Sequence, residues 1–152
     1  MHIRYNDLPD LVGQEIGVSD WVLIDQDRVN RFAEATGDFQ WIHVDIERAT
    51  SERGGPVAHG YLTLSLVPGL IETMLTYEDV SYNLNYGADR LRFTAPVRVG
   101  KRVRARQTIK AVEPRGGGMQ YLAEIKVEIE GEDKPALIME MRMLVFPASA
   151  DS

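Results

Sequence analysis

The run Thr36-Gly37-Asp38-Phe39-Gln40-Trp41-Ile42-His43 sets one carboxylate and one imidazole five residues apart. Neither group falls on a heptad face or an alternating strand, so neither has an obvious packing task. Together they are the minimum equipment for moving protons near neutral pH. A second stretch, Val57-Ala58-His59-Gly60, opens the most apolar segment of the chain. A helix starting there would aim free N–H groups outward and polarise an acyl oxygen. Taken singly, Asp38 also suits a turn, and His43 also suits a satisfied loop or core histidine.

The elements that must position these groups can be read from spacing. Residues 24–37 predict a helix. Asp25 is a good N-cap, Ile24 and Val29 have the spacing of a hydrophobic staple, and Val29, Phe32 and Ala33 mark one apolar face. Gly37 suits the left-handed position that ends a helix, so Asp38 leaves it at a sharp turn. A turn of helix is expected over 45–51, broken by Gly54-Gly55-Pro56. Residues 60–76 are apolar nearly all round, which predicts an interior helix, kinked or short of one backbone hydrogen bond at Pro68.

The period then changes from 3.6 to 2. Val103, Ala105, Gln107, Ile109 and Ala111 alternate with polar residues, as do Tyr121, Ala123, Ile125, Val127 and Ile129. Leu137, Met139, Met141, Met143 and Val145 form a third such face, read as sheet core. Pro114 to Gly118 is a turn, and a hairpin centred on Gly116 sets Arg104 against Glu128 and Arg102 against Glu130. Residues 82–93 predict a further strand with a bulge at Gly87, and 18–23 a short one. Ala148 to Ser152 read as a frayed end. The sum is an α+β domain, an antiparallel sheet with one apolar face wrapped on a single buried helix.

Composition narrows the function classes. At 152 residues the chain is expected to form one domain, residues 1–152. It has no cysteine, which removes disulfides, thiolate metal sites and a thiol nucleophile, and fits a reducing cytoplasm. A net charge of -6 argues against nucleic acid as a partner. No apolar run reaches membrane-spanning length and the first residues lack a secretory pattern, so no membrane association is expected.

The combination of Thr36-Gly37-Asp38 with His43 and Asp45, then Ala58-His59-Gly60, then Asn85-Tyr86-Gly87, then Arg92-Phe93-Thr94-Ala95-Pro96-Val97 and Gly100 resembles the MaoC-like dehydratases, the (R)-specific enoyl-CoA hydratase or hydratase-2 group. The resemblance runs from about Gly13 to Phe146. It implies a hot-dog fold, a homodimer with joined sheets, and an acyl tunnel near the subunit interface. The substrate it implies is an acyl thioester of coenzyme A or acyl carrier protein, with no separate cofactor and no metal. Two departures stand out: Gln40 and Trp41 occupy positions where the family usually has Asn and Pro. The helix Ser common in the family falls at Pro68 here, with Ser65 one turn earlier.

The resemblance implies addition of water across a trans-2-enoyl thioester to give an (R)-3-hydroxyacyl thioester. Asp38 and His43 would be the acid/base pair, and the Gly60 N–H the donor to the thioester oxygen. Gln40, Trp41, His59, Asn85, Tyr86 and Gly87 are candidate substrate-binding residues, although His59 also suits packing at the helix start and Gly87 a plain bulge. The cationic stripe Arg102, Arg104, Arg106 and Lys110 reads as a solvated face paired with Glu128 and Glu130 rather than a phosphate site; Arg90 and Arg92 are the better phosphate candidates. Two rivals are a hot-dog thioesterase and a non-catalytic acyl-thioester binder. The first would need an acid on or beside the central helix, where only Glu72 is available.

Overall fold

The computed structural model describes residues 1–149. In chain order its elements are β1 (His2–Ile3), a 3-10 helix (Tyr5–Leu11), β2 (Glu15–Val18), β3 (Val22–Leu23), α1 (Gln26–Thr36), α2 (Trp41–Val44), α3 (Ile46–Arg53), α4 (Gly60–Ile71), β4 (Thr76–Tyr77), β5 (Val80–Phe93), β6 (Arg102–Arg115), β7 (Gly118–Ile129) and β8 (Leu137–Pro147). This is a mixed α+β architecture. Six strands form one antiparallel sheet in the order β2-β6-β7-β8-β5, with β3 also pairing β6. The short β1 and β4 pair separately and in parallel.

The caps decide where α1 begins and ends. The Asp25 carboxylate accepts from the Arg28 N–H at 2.8 Å, and Gly37 closes the helix at φ 79° with its N–H on the Ala33 carbonyl. Only a residue without a Cβ takes that conformation cheaply. Beyond the single turn of α2, α3 runs two residues further than its spacing suggested, to Arg53, before Gly54 stops it at φ 76°.

The hairpin register follows the charges. Arg104 faces Glu128, with Nε to Oε2 at 2.7 Å, and Arg102 meets Glu130 at 2.6 Å. The turn itself is Gly116-Gly117, both with positive φ, the geometry favoured by two-residue hairpins. A register shift between Ile109 and Ala111 makes Lys110 an extra residue. That bulge reverses the alternation, so Ala111 is exposed rather than inward.

The apolar helix is shorter than expected. It ends at Ile71, because Thr76 and Tyr77 are drawn into pairing with the N-terminal strand. It is also not buried all round. Leu62, Val67, Leu70 and Ile71 enter the core with Val103, Ala105, Ile109, Ile125, Val127 and Met139 of the sheet, while Tyr61, Ser65, Pro68 and Gly69 are exposed. The strand expected over 18–23 is two strands, β2 and β3, both on β6. At the far end, Ala148 is tied down by its N–H to the Asp79 carbonyl, and the rest of the expected frayed end, residues 150–152, lies outside the described residues. No helix is long and apolar enough to cross a membrane.

Candidate active site

Asp38 stands one residue past the left-handed stop at Gly37, so its side chain leaves the helix direction. It is exposed, and its carboxylate accepts the Gln40 N–H at 3.3 Å, a local turn bond. His43 sits in the single turn of α2 and is buried. Its Nδ1 lies 2.6 Å from the Val57 carbonyl oxygen. A carbonyl only accepts, so Nδ1 carries the proton and Nε2 of the neutral ring offers a lone pair. The His43 main chain is fixed as well, its carbonyl accepting from Gln26 Nε2 at 2.8 Å.

An Asp38 carboxylate oxygen and ring nitrogens of His43 and His59 all lie within 4.8 Å of one another. The acid and the base are therefore close enough to share one water. Burial pushes the His43 imidazole below its ordinary pKa; the Val57 bond opposes this, His59 adds to it, and Asp38 opposes it. The result favours the uncharged ring, the form that accepts a proton.

Gly60 is the first residue of α4, next to the N-cap His59. The helix bonds at this end begin with the Leu62 and Thr63 N–H groups on the His59 carbonyl, leaving the Gly60 N–H open among the described residues. The Phe93 ring covers the glycine so closely that a Cβ there would meet it at 3.2 Å. A cavity of about 360 Å³ joins His43 to Gly60, lined also by Val57, Thr63 and Phe93 among others; Asp38 is not part of its wall.

Two further cavities follow the exposed side of α4 away from this centre. One of about 320 Å³ is lined by Leu64, Ser65, Asn85, Gly87 and Met139; the next, of about 450 Å³, by Glu72, Asn83, Gln107 and Tyr121. They share Pro68, Asn85 and Met141, and so form one groove between α4 and the β5–β8 edge. Glu72 lies at the end of α4 remote from Gly60, about 18 Å along the axis. An acid there is out of reach of a thioester held at Gly60.

The other expected site residues separate into two groups. Asn85 and Gly87 line the groove. Tyr86, the extra residue of the β5 bulge, instead accepts from Arg115 Nη2 at 2.6 Å. Trp41 lies under the Arg48 guanidinium at 4.0 Å, and neither it nor Gln40 lines any of these three cavities. His59 is only 2% exposed and lines none of them either. Its Nε2 donates to the Asp38 main-chain carbonyl at 2.9 Å and its ring stacks on His43. Of the phosphate candidates, Arg90 pairs with Glu140 at 3.3 Å, and the Arg102–Arg106 stripe is paired with Glu15, Glu128 and Glu130.

The same three groups resemble a metal triad by distance alone. Their directions fit one poorly. His59 spends Nε2 on a carbonyl, its Nδ1 is sealed from solvent, and the two rings lie face to face, so their in-plane lone pairs run side by side instead of converging. Spacing alone did not reveal Val57, Gln26 or Phe93 as parts of the site. Val57 and Phe93 lie within the motif stretches, but the role of each depends on a contact distant in sequence.

Comparison with known proteins identifies relatives of this chain. A family model described as the MaoC-like domain matches residues 7–130. The 3-hydroxyacyl-thioester dehydratase Z of Mycobacterium tuberculosis (strain ATCC 25618 / H37Rv) is 48% identical over 136 residues, 88% of this chain and 90% of that protein. Nodulation protein N of Rhizobium meliloti (strain 1021) is 45% identical over 142 residues, 90% of this chain and 88% of that one. In fold, the chain resembles the monoamine oxidase regulatory protein of Archaeoglobus fulgidus, with a TM-score of 0.78 at 19% identity, covering 98% of this chain and 97% of that one. On the family match and the relatives at nearly half identity, the chain belongs to the MaoC-like dehydratase family.

Proposed function

We propose that the protein is a lyase that adds water reversibly across a trans-2-enoyl thioester, giving the (R)-3-hydroxyacyl thioester. The observation that carries this is the buried His43 imidazole, its Nδ1–H spent on Val57 and its Nε2 free, beside the Asp38 carboxylate and the open N–H of Gly60. The likeness to the mycobacterial 3-hydroxyacyl-thioester dehydratase supports the reaction class.

His43 Nε2 orients a water and takes one of its protons as the oxygen bonds to C3. The Asp38 carboxylate shares that water, and the proton taken by His43 passes through Asp38 to C2, so one water is added whole, the double bond is lost and both residues return to their starting forms. Charge develops on the thioester oxygen in the transition state, where the Gly60 N–H is placed to donate. The groove along α4 takes the acyl chain, and coenzyme A or acyl carrier protein is the carrier, a part of the substrate rather than a bound cofactor.

We further propose that residues 1–152 act as one hot-dog domain, the sheet curling around α4, and that two copies join along β5. Its 14 residues form a sheet edge and expose Tyr82, Leu84, Tyr86 and Phe93. Crotonyl-CoA tests the reaction. Loss of enoyl absorbance with an (R)-3-hydroxy product is expected; release of free thiol without hydration would identify a thioesterase instead.

A further inference from the structure

His59 meets every part of the centre without entering the cavity. Its own carbonyl takes the first N–H bonds of α4, at 3.0 Å from Leu62 and 3.3 Å from Thr63, and the next residue is Gly60. Its Nε2–H holds the Asp38 carbonyl at 2.9 Å. Its ring stacks on His43 at 3.8 Å between centroids and 25° between planes, and packs against Phe32 at 4.9 Å.

The Asp38 loop has little else to hold it. Its other bonds are local: Asp38 N–H to Thr36 Oγ1 at 3.5 Å, and Gln40 N–H to the Asp38 carboxylate at 3.3 Å. Among the described residues, the bond from His59 is the one link from Asp38 to a group outside its own turn. Losing that bond releases the carboxylate relative to the imidazole. Losing the ring removes the surface that His43 lies against.

We propose that His59 is a positioning residue, which ties the Asp38 main chain and the His43 ring to the start of α4 and so sets the separation of the acid/base pair. This rests on the Asp38–His43 reading above. It assigns His59 no contact with substrate, in keeping with its 2% exposure.

The test compares His59→Leu, His59→Gln and His59→Asn by kcat and KM on crotonyl-CoA and by thermal melting. His59→Leu should lower kcat by about 10²-fold, the scale of a 1 Å misplacement, with KM unchanged. His59→Gln should recover most of that loss, because its terminal N–H₂ reaches the position of the imidazole Nε2. His59→Asn is one methylene shorter, cannot reach the Asp38 carbonyl, and should stay slow. If His59→Leu fails to fold, the Gln and Asn variants decide alone. Equal kcat in those two, or full kcat in His59→Leu, overturns the proposal. Asp38→Asn and His43→Gln run in parallel keep the two questions apart. Full hydration by either one overturns the acid/base reading, whereas their inactivity beside a fully active His59→Leu overturns only the role of His59.

Discussion

The His43 ring is fastened to the Val57 carbonyl through Nδ1 at 2.6 Å, across 14 residues of chain. That one bond chooses the tautomer, and the tautomer decides which nitrogen serves as base. Burial then keeps the ring uncharged to lower pH than a free histidine. The base works only unprotonated, so hydration is lost as pH falls through the depressed pKa of His43. The acid limb of kcat/KM should therefore lie below the ordinary histidine value of 6.5. A pH series on crotonyl-CoA checks this, and a limb above that value would contradict it.

Removing either member of the pair should stop the chemistry and leave the fold. Asp38→Asn keeps volume and polarity, and His43→Gln sets an amide where Nε2 stood while giving up the Nδ1–H bond to Val57; neither can transfer the proton. Each should cost roughly 10²–10⁴-fold in kcat, the usual worth of general acid–base catalysis. The melting temperature should hardly change for Asp38→Asn, because that side chain is exposed and makes only a local turn bond. Retained activity in either variant would remove that residue from the mechanism.

Local signals were legible in the chain and distant ones were not. Asp25 and Gly37 bound α1 because a cap is decided within four residues. The Arg104–Glu128 pair fixed the hairpin because opposite charges across a tight turn admit few registers. The early end of α4 was hidden, since it depends on pairing with residues some 70 positions earlier. So was the sealed position of His59, whose partner Asp38 lies 21 residues away. Trp41 illustrates the same limit: its motif position pointed to the substrate, but Arg48, the third residue of α3, lies over its ring.

Gly60 and Phe93 form a paired constraint. Gly60→Ala would bring a methyl to 3.2 Å of the Phe93 ring, tighter than ordinary contact. Phe93 is partly exposed and must shift over the mouth of the site. A fall in kcat/KM is expected for Gly60→Ala, with recovery in the Gly60→Ala/Phe93→Ala double variant. If the double variant is as slow as the single one, the methyl obstructs the acyl group itself rather than displacing the ring.

Gly37 controls the exit angle of Asp38 and also carries a stability cost. At φ 79° an alanine is strained although nothing crowds it. Gly37→Ala should destabilise by about 1 kcal/mol or more, read as a lower urea midpoint at unchanged slope. Gly37→Asn should lose less, because Asn tolerates the left-handed region better. Equal losses for the two would mean that conformation is not the cause.

The edge strand β5 offers the last test. A long strand with exposed aromatic and aliphatic side chains is a surface that proteins rarely leave unpaired. Leu84 lies in its middle at 48% exposure, and lysine is the residue that blunts such edges. Light scattering should therefore find a dimer for the parent chain and a shift toward monomer for Leu84→Lys. Activity should fall with it, since Asn85 and Gly87 line the groove from the same strand and would lose their cover. A Leu84→Lys protein that stays dimeric would place the joint elsewhere. A monomer with full activity would show that the groove works within one chain.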